Sequence, residues 1–129
     1  MTVFIFDLDD TLLDSNSYSK YDDISYNTIL VKIFTKYKNI PKYIYTNGTS
    51  GHAIESLTNM GLINHINGIF ARDNIPEMKP RYNSFYFVNN IINKLHPNDV
   101  FYFFDDLENN LEMAKRFNWV TILVNPNFN

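Results

Sequence analysis

Short apolar runs alternate along the chain with longer segments whose apolar residues recur at helical spacing. Runs at residues 3–6, 42–45, 69–71, 100–104 and 119–124 predict five strands, because short stretches of β-branched and aromatic residues suit strands buried on both faces. Periodic segments at residues 26–37, 50–60, 82–95 and 107–114 predict four amphipathic helices. Such regular alternation favours an α/β fold with three layers and a mostly parallel five-stranded sheet.

Some details of the helices are also predicted. In the first helix the expected buried face consists of Tyr26, Ile29, Leu30, Ile33, Phe34 and Tyr37. Gly61 stands where a helix C-cap would end the second helix. Pro80 is expected in the first turn of the third helix, where its missing N–H costs nothing. No linker or repeat divides residues 1–129, so we expect a single domain.

The amino-acid composition excludes several classes of function. The 129 residues are 45% hydrophobic and 16% aromatic, enough for a globular core, and the net charge of −3 gives no general basic footprint for nucleic acid. There is no cysteine, which excludes disulfides and thiolate metal sites. No run approaches the roughly 18 apolar residues of a membrane span, and the N-terminus lacks a basic signal-peptide region. We expect a soluble cytoplasmic protein with no membrane partner.

Pairs of carboxylates follow two of the predicted strands. Asp7 and Asp9 come directly after the first strand, and Asp105 and Asp106 come after the fourth. Buried carboxylates are costly unless they are paired or bind a metal. The carboxyl ends of parallel strands meet at one edge, where ligands bind in open α/β sheets. Taken alone, each pair also fits a solvated acidic turn or the capped start of a helix.

Two other junctions carry residues suited to an anion. Thr46, Asn47 and Gly48 follow the second strand, and Ser50 opens a helix whose N-terminus favours negative charge. An ordinary helix cap explains the same residues. Lys79 precedes Pro80, which keeps it out of helical geometry and allows its ammonium to point into the site. A solvated surface lysine is the alternative for this residue.

Taken in order, these motifs resemble the haloacid dehalogenase-like hydrolase superfamily. The matching segments are Asp7-Leu8-Asp9-Asp10-Thr11, Thr46-Asn47, Lys79-Pro80 and Asp105-Asp106 with Asn110. The resemblance runs from residue 3 to about residue 124 and implies a Rossmann-like core. Residues 43–125 look most similar to the branch that contains pyrimidine 5′-nucleotidases.

The resemblance implies a Mg²⁺-dependent phosphomonoester hydrolase. Asp7 would be the nucleophile that forms an aspartyl phosphate, and Asp9 the general acid and then the general base. Mg²⁺ would bind Asp7, the backbone carbonyl of Asp9, and Asp106. Asp105 would be either a further ligand or a partner that orients water or Lys79. An acid at the position of Asp9 resembles phosphatases and phosphomutases rather than dehalogenases.

The remaining motif residues would bind the phosphoryl group. The hydroxyl of Thr46 and the N–H groups of Asn47 and Gly48 would hold it, while Lys79 would neutralise its charge and anchor Asp7. Asn110 would orient the metal site, or else is a plain helix residue. The three histidines share no metal-ligand spacing, and His52 is expected at most to line the helix after the second motif.

The family's usual cap domain is not expected here. Residues 13–24 are too few for one, and residues 51–78 are already assigned to a helix and a strand. An open site suits large substrates such as phosphoproteins and the phosphorylated ends of nucleic acids. The likeness to nucleotidases instead favours a nucleotide. A second subunit is another way in which the site could be covered. The specificity candidates in the loop of residues 13–23, which are equally plain loop residues, are Tyr18, Tyr21, Asp22 and Asp23.

Two other functional classes remain open. One is a receiver-like phosphoacceptor domain, in which an aspartate after the third strand is phosphorylated; Asp73 is the only acid near that position. The other is a non-catalytic binding module on the same type of scaffold.

Overall fold

The computed structural model describes residues 1–14 and 24–125, and these form an α/β fold. The strands are β1 (Thr2–Phe6), β2 (Lys42–Tyr45), β3 (Gly68–Phe70), β4 (Val100–Asp105) and β5 (Val120–Leu123). The helices are α1 (Thr28–Lys36), α2 (Ser50–Met60), α3 (Tyr82–Leu95) and α4 (Glu108–Lys115). The predicted alternation of strands and helices is therefore confirmed.

The sheet has the order β3-β2-β1-β4-β5, and every pairing is parallel. The chain runs outward from central β1 to β3, and α3 then carries it back to β4 on the other side of β1. The point of reversal therefore lies between β1 and β4, and ligands bind beside the carboxyl ends of strands at such a point. A receiver domain has the order 2-1-3-4-5, so the receiver-like scaffold is wrong for this chain.

Register brings the two acidic motifs level with each other. Phe6 pairs with Phe104, and the N–H of Asp7 donates to the carbonyl of Phe104 at 2.9 Å. Asp7, which follows β1, and Asp105, the last residue of β4, therefore lie side by side at the carboxyl edge of the sheet.

A hydrophobic core lies on each face of the sheet. On the first face, Phe85, Val88 and Ile92 of α3 and Leu111 and Ala114 of α4 pack on residues of the sheet. On the second face, the buried residues from the first loop, α1, β2 and α2 are Leu8, Leu12, Leu13, Phe34, Ile44, Ala53, Leu57 and Met60. The apolar runs of the strands supply both cores because successive side chains point to opposite faces.

The predicted buried face of α1 is correct only for Phe34, which is buried, and Leu30, which is partly buried. Ile29 is 72% exposed and Tyr26 is 60% exposed, whereas Phe34 is buried and stacks on Phe6 with ring centroids 5.2 Å apart. Apolar residues occupy most sides of this short helix, so their spacing does not define a single stripe. The side chain of Asn27 caps the helix by accepting from the N–H of Leu30, and the helix meets the sheet through Phe34.

Two predictions about helix ends have different outcomes. Gly61 ends α2 with a φ of 82°, and its N–H donates to the carbonyls of Leu57 and Thr58. This confirms the predicted C-cap, because a left-handed conformation suits glycine. Pro80 lies before α3 rather than in its first turn, since the helix begins at Tyr82.

Residues 51–78 contribute most of α2, a 3₁₀ turn at Ile63–His65 and β3, and both α2 and β3 place residues in the hydrophobic cores. Within the described ranges, no helix has the length and apolar character needed to cross a membrane.

Candidate active site

The chain leaves β1 through a tight turn that separates apolar from acidic residues. The carbonyl of Leu8 accepts from the N–H groups of Thr11, Leu12 and Leu13, and Asp10 adopts a φ of 65°. The three leucines are buried in the second core. Their burial fixes the turn against the second core, and Asp7 and Asp9 remain at the carboxyl edge of the sheet.

Lys79 lies at the centre of the site and is almost fully buried. Its Nζ donates to Asp7 Oδ1 at 3.1 Å, to Asp105 Oδ2 at 2.9 Å and to the carbonyl of Tyr45 at 2.8 Å. It also lies 5.0 Å from the centroid of the Tyr45 ring. An ammonium has three N–H donors, so these oxygens use its full donor capacity and fix its position.

Asn47 holds the loop that carries Lys79. Its Oδ1 accepts from the N–H of Lys79 at 2.9 Å, and its Nδ2 donates to the carbonyl of Lys79 at 3.1 Å. The Lys79–Pro80 peptide bond is cis. The sequence predicted a role only for the backbone N–H of Asn47, whereas its side chain makes both of these contacts.

Asp7 is held by two donors from different elements. Thr11 Oγ1 donates to Asp7 Oδ2 at 3.0 Å, while Lys79 donates to Oδ1. Thr11 belongs to the first predicted motif, but sequence reasoning gave it no role. The only indication of this contact in the sequence is that Thr11 lies four residues after Asp7.

Asp7, Asp105 and Asp106 form an acidic cluster in which one oxygen from each lies within 4.8 Å of the others. The pKa of Asp7 is raised to about 7, mainly by burial. The charge of Asp105 and the hydrogen bond with Asp106 also raise this pKa, whereas Lys79 lowers it. Burial also raises the pKa of Asp106, and the charge of Asp105 adds to the rise. Three carboxyl groups thus share the neighbourhood of one ammonium, that of Lys79, which pairs with Asp7 and Asp105.

The two adjacent aspartates at the end of β4 differ in their surroundings. Asp105 is fully buried; its Oδ2 accepts from Lys79 Nζ at 2.9 Å and from Asn110 Nδ2 at 3.0 Å. Its Oδ1 accepts from the N–H of Leu107 at 3.0 Å. Asp106 is only partly buried, and its carboxyl lies beside that of Asp7. Protein donors thus occupy both oxygens of Asp105.

The loop after β2 approaches the same site. Thr46 is buried, and its Oγ1 accepts from the N–H of Gly48 at 3.1 Å. A Cβ added at Gly48 would lie 3.2 Å from His52 Cδ2 and 3.9 Å from Asp9 Oδ2. A side chain at position 48 would therefore crowd His52 and reach the carboxyl of Asp9.

His52 lies in α2 as expected, and its side chain also contacts Asp9, which was not predicted. Its Nε2 lies 3.1 Å from Oδ1 and 3.1 Å from Oδ2 of Asp9. The only available signal was its position in the first turn of the helix that follows the second motif.

Some predicted residues lie elsewhere. Asp73 accepts from the N–H of Ser50 at 2.8 Å and from the hydroxyl of Ser50 at 2.5 Å, so it holds the start of α2. These hydrogen bonds lower the pKa of Asp73. The four specificity candidates from the first loop, Tyr18, Tyr21, Asp22 and Asp23, lie outside the described residues.

Comparison with solved structures gives a consistent fold assignment, although no family model and no curated protein matches the sequence. The haloacid dehalogenase-like hydrolase SP0104 from Streptococcus pneumoniae matches with a TM-score of 0.71 and 13% identity, over 95% of this chain and 84% of that one. The core domain of a proposed phosphoglycolate phosphatase from Streptococcus pneumoniae TIGR4 matches with a TM-score of 0.65 and 21% identity, over 95% of this chain and 78% of that one.

The magnesium-bound hydrolase YfnB from Bacillus subtilis matches with a TM-score of 0.63 and 19% identity, over 77% of this chain. This chain spans only 44% of YfnB and 38% of L-2-haloacid dehalogenase from Xanthobacter autotrophicus. The chain has the fold of the haloacid dehalogenase-like hydrolases.

Proposed function

We propose that this protein is a Mg²⁺-dependent phosphomonoester hydrolase that forms an aspartyl phosphate on Asp7. The observation that carries the proposal is the fixation of the Asp7 carboxylate by Thr11 on one oxygen and Lys79 on the other. A carboxylate oriented in this way at the reversal point of the sheet suits nucleophilic attack. Structural similarity to hydrolases, one of them a proposed phosphatase, supports the same class.

Phosphoryl transfer then proceeds in two steps. An oxygen of Asp7 bonds to phosphorus, the bond between phosphorus and the leaving oxygen breaks, and Asp9 donates a proton to that oxygen. Asp9 next accepts a proton from water as the water oxygen attacks the phosphorus. Inorganic phosphate leaves, and Asp7 is regenerated as a carboxylate.

The donor set fits Mg²⁺. Carboxylate oxygens are the ligands that this hard cation prefers, and Asp7, Asp105 and Asp106 each place one such oxygen within 4.8 Å of the others. We assign Asp7, Asp106 and the backbone carbonyl of Asp9 as ligands. The cation, when bound, screens the repulsion between the carboxylates and the phosphate. Because protein donors occupy both oxygens of Asp105, we assign Asp105 to holding Lys79 and Asn110.

The phosphoryl group is held from the loop after β2. The oxygen of Thr46 accepts from Gly48, which leaves its O–H hydrogen to donate to a phosphoryl oxygen. The N–H of Asn47 at the start of the loop is a second donor, and the N–H of Gly48 acts by orienting Thr46. Lys79 contributes a fixed positive charge, because its three donors already bind protein oxygens.

The substrate is a nucleotide or a phosphorylated macromolecule. Residues 51–78 are built into the core, which supports an open site that admits a phosphoprotein or a nucleic-acid end. The likeness of residues 43–125 to pyrimidine nucleotidases supports a nucleotide, with a second copy of the chain covering the site in a homo-oligomer.

A phosphatase screen with Mg²⁺ tests the proposal. Nucleoside monophosphates, phosphopeptides and phosphorylated oligonucleotide ends are compared, with Asp7→Asn as the control. We expect phosphate release from at least one class and loss of more than about 1,000-fold in the variant. Full activity of Asp7→Asn would exclude the proposed nucleophile. A long-lived phosphoprotein without turnover would instead favour a non-catalytic phosphoacceptor.

A further inference from the structure

His52 and Asp9 are 43 positions apart in sequence and meet at the carboxyl edge of the sheet. Nε2 of His52 lies 3.1 Å from each carboxylate oxygen of Asp9. We propose that His52 is a positioning residue, which holds the Asp9 carboxyl where it meets the leaving group of the substrate. This inference rests on the proposed function, because it concerns the proton transfer assigned to Asp9.

Asp9 needs such a partner more than Asp7 does. The Asp9 side chain is 35% exposed, whereas that of Asp7 is 11% exposed and is fixed by Thr11 and Lys79. A partly exposed carboxyl rotates among several staggered conformations. A general acid works only when it lies within hydrogen-bonding reach of the atom that it protonates. Contact with His52 restricts Asp9 to one part of that range.

The imidazole is itself held in place. The backbone N–H of His52 donates to Thr49 Oγ1 at 3.2 Å, which fixes the residue in the first turn of α2. Its side chain is 20% exposed and packs against Gly48, where an added Cβ would lie 3.2 Å from His52 Cδ2. The absence of a side chain at Gly48 thus leaves room for the imidazole to reach Asp9.

His52 Nε2 lies equally close to both oxygens of Asp9, so either oxygen can accept from the imidazole while the other faces the leaving group. With hydrogen on Nε2, the imidazole donates to one carboxyl oxygen, and the other oxygen carries the proton that goes to the leaving group. As Asp7 bonds to phosphorus, the electron pair of the breaking bond passes to the leaving oxygen, which takes this proton. Asp9 is then a carboxylate that still accepts from His52.

The dependence of rate on the leaving group separates this role from a structural one. An alkoxide is strongly basic and needs the proton from Asp9 to depart, whereas p-nitrophenolate departs readily without it. The ratio kcat/KM reports the steps up to formation of the aspartyl phosphate. A misplaced Asp9 therefore lowers kcat/KM for an alkyl phosphate and changes it little for p-nitrophenyl phosphate. General disruption of the site lowers both equally.

The experiment compares β-glycerol phosphate with p-nitrophenyl phosphate in the presence of Mg²⁺. The variants are His52→Ala, His52→Asn and His52→Gln, with Glu55→Ala on the exposed side of the same helix as the matched control. For His52→Ala and His52→Asn we expect about 10- to 100-fold loss on the alkyl ester and less than about 3-fold on the aryl ester. His52→Gln, whose amide extends further than that of asparagine, restores part of the loss.

The outcomes distinguish the inference from the proposed function. An equal loss on both esters, or no loss on either, would overturn the positioning role while leaving the phosphatase proposal in place. No release of phosphate by the unmodified protein, or full activity of Asp7→Asn, would overturn the phosphatase proposal itself. Circular dichroism verifies folding, and the near-isosteric His52→Asn decides the matter if His52→Ala does not fold.

Discussion

Lys79 and Asp105 form an ion pair 2.9 Å long in which the side chains are 1% and 0% exposed. The Asp105 carboxylate also accepts from Asn110, and the Lys79 ammonium also donates to Asp7. Because the pair is satisfied by further hydrogen bonds, its desolvation is offset by contacts that depend on both partners. It joins the loop before α3 to the end of β4, and thereby fixes one side of Asp7.

Breaking this buried pair should destabilise the protein strongly. We expect Asp105→Asn to lower the free energy of unfolding by about 3 kcal/mol, because it leaves the Lys79 charge only partly compensated. Lys115→Met is the matched control, since Lys115 pairs with Glu112 at the same 2.9 Å but with side chains 56% and 69% exposed. Its cost should stay below about 1 kcal/mol. Urea unfolding of both variants checks the difference, and equal costs would contradict it.

The metal-free protein should lose stability as pH rises. Because the pKa of Asp7 is raised to about 7 in the folded state, the folded form retains a proton that the unfolded chain releases near pH 4. The stabilising contribution of this proton is complete below about pH 4 and is lost as pH rises to about 7. Asp106 acts in the same direction, because its pKa is also raised.

Chemical unfolding in a metal chelator at pH 5 and pH 8 measures this effect. Asp73, whose pKa is lowered, contributes with the opposite sign and is common to all the variants compared. The informative quantity is therefore the difference between Asp7→Asn and the unmodified protein. We expect Asp7→Asn to be relatively more stable at pH 8 than at pH 5, by on the order of 3 kcal/mol. A difference that does not change with pH would show that Asp7 ionises normally.

The Thr11 hydroxyl should matter for the rate rather than for the fold. Thr11→Val keeps the shape of the side chain but removes the 3.0 Å hydrogen bond to Asp7 Oδ2. We expect kcat to fall by about 10- to 100-fold, because a misdirected carboxylate is rarely aligned with phosphorus. Thr11→Ser should recover most of the rate, since it restores the donor. Steady-state kinetics decides this, and an unchanged rate in Thr11→Val would assign the orientation of Asp7 to Lys79 alone.

Local sequence patterns predicted the strands, most helix positions and the acids at the sheet edge. The apolar run of β1 ends in Asp7, and α2 ends at Gly61 as predicted, although its N-cap is Thr49 rather than Ser50. These features are determined by residues close together in sequence, so a local sequence pattern is enough to predict them. The buried face of α1 could not be predicted from local sequence. Ile29 and Phe34 are both strongly apolar, and only contact with the sheet determines that Phe34 is the buried one.

The finer arrangement of the site depends on contacts between distant elements. Asp105 and Asp106 are adjacent and chemically identical, and only the positions of Lys79 and Asn110 make Asp105 the one whose Oδ2 accepts from two buried side chains. The contact of His52 with Asp9 likewise requires α2 to lie beside the turn after β1. Sequence spacing carries no information on such pairs until the strand order is known.

Asp106 should govern metal affinity. It is the acid of the β4 pair whose carboxyl lies beside Asp7 and is only partly buried, so Asp106→Asn removes a charged ligand while leaving the Lys79–Asp105 pair intact. We expect Mg²⁺ binding, measured by calorimetry, to weaken by at least about 10-fold. Glu108→Gln, two residues further along at the exposed start of α4, removes the same charge outside the cluster and should change affinity by less than about 2-fold. If both variants bind Mg²⁺ as the unmodified protein does, Asp106 is not a ligand. The acidic cluster would then hold the cation through Asp7 and Asp105.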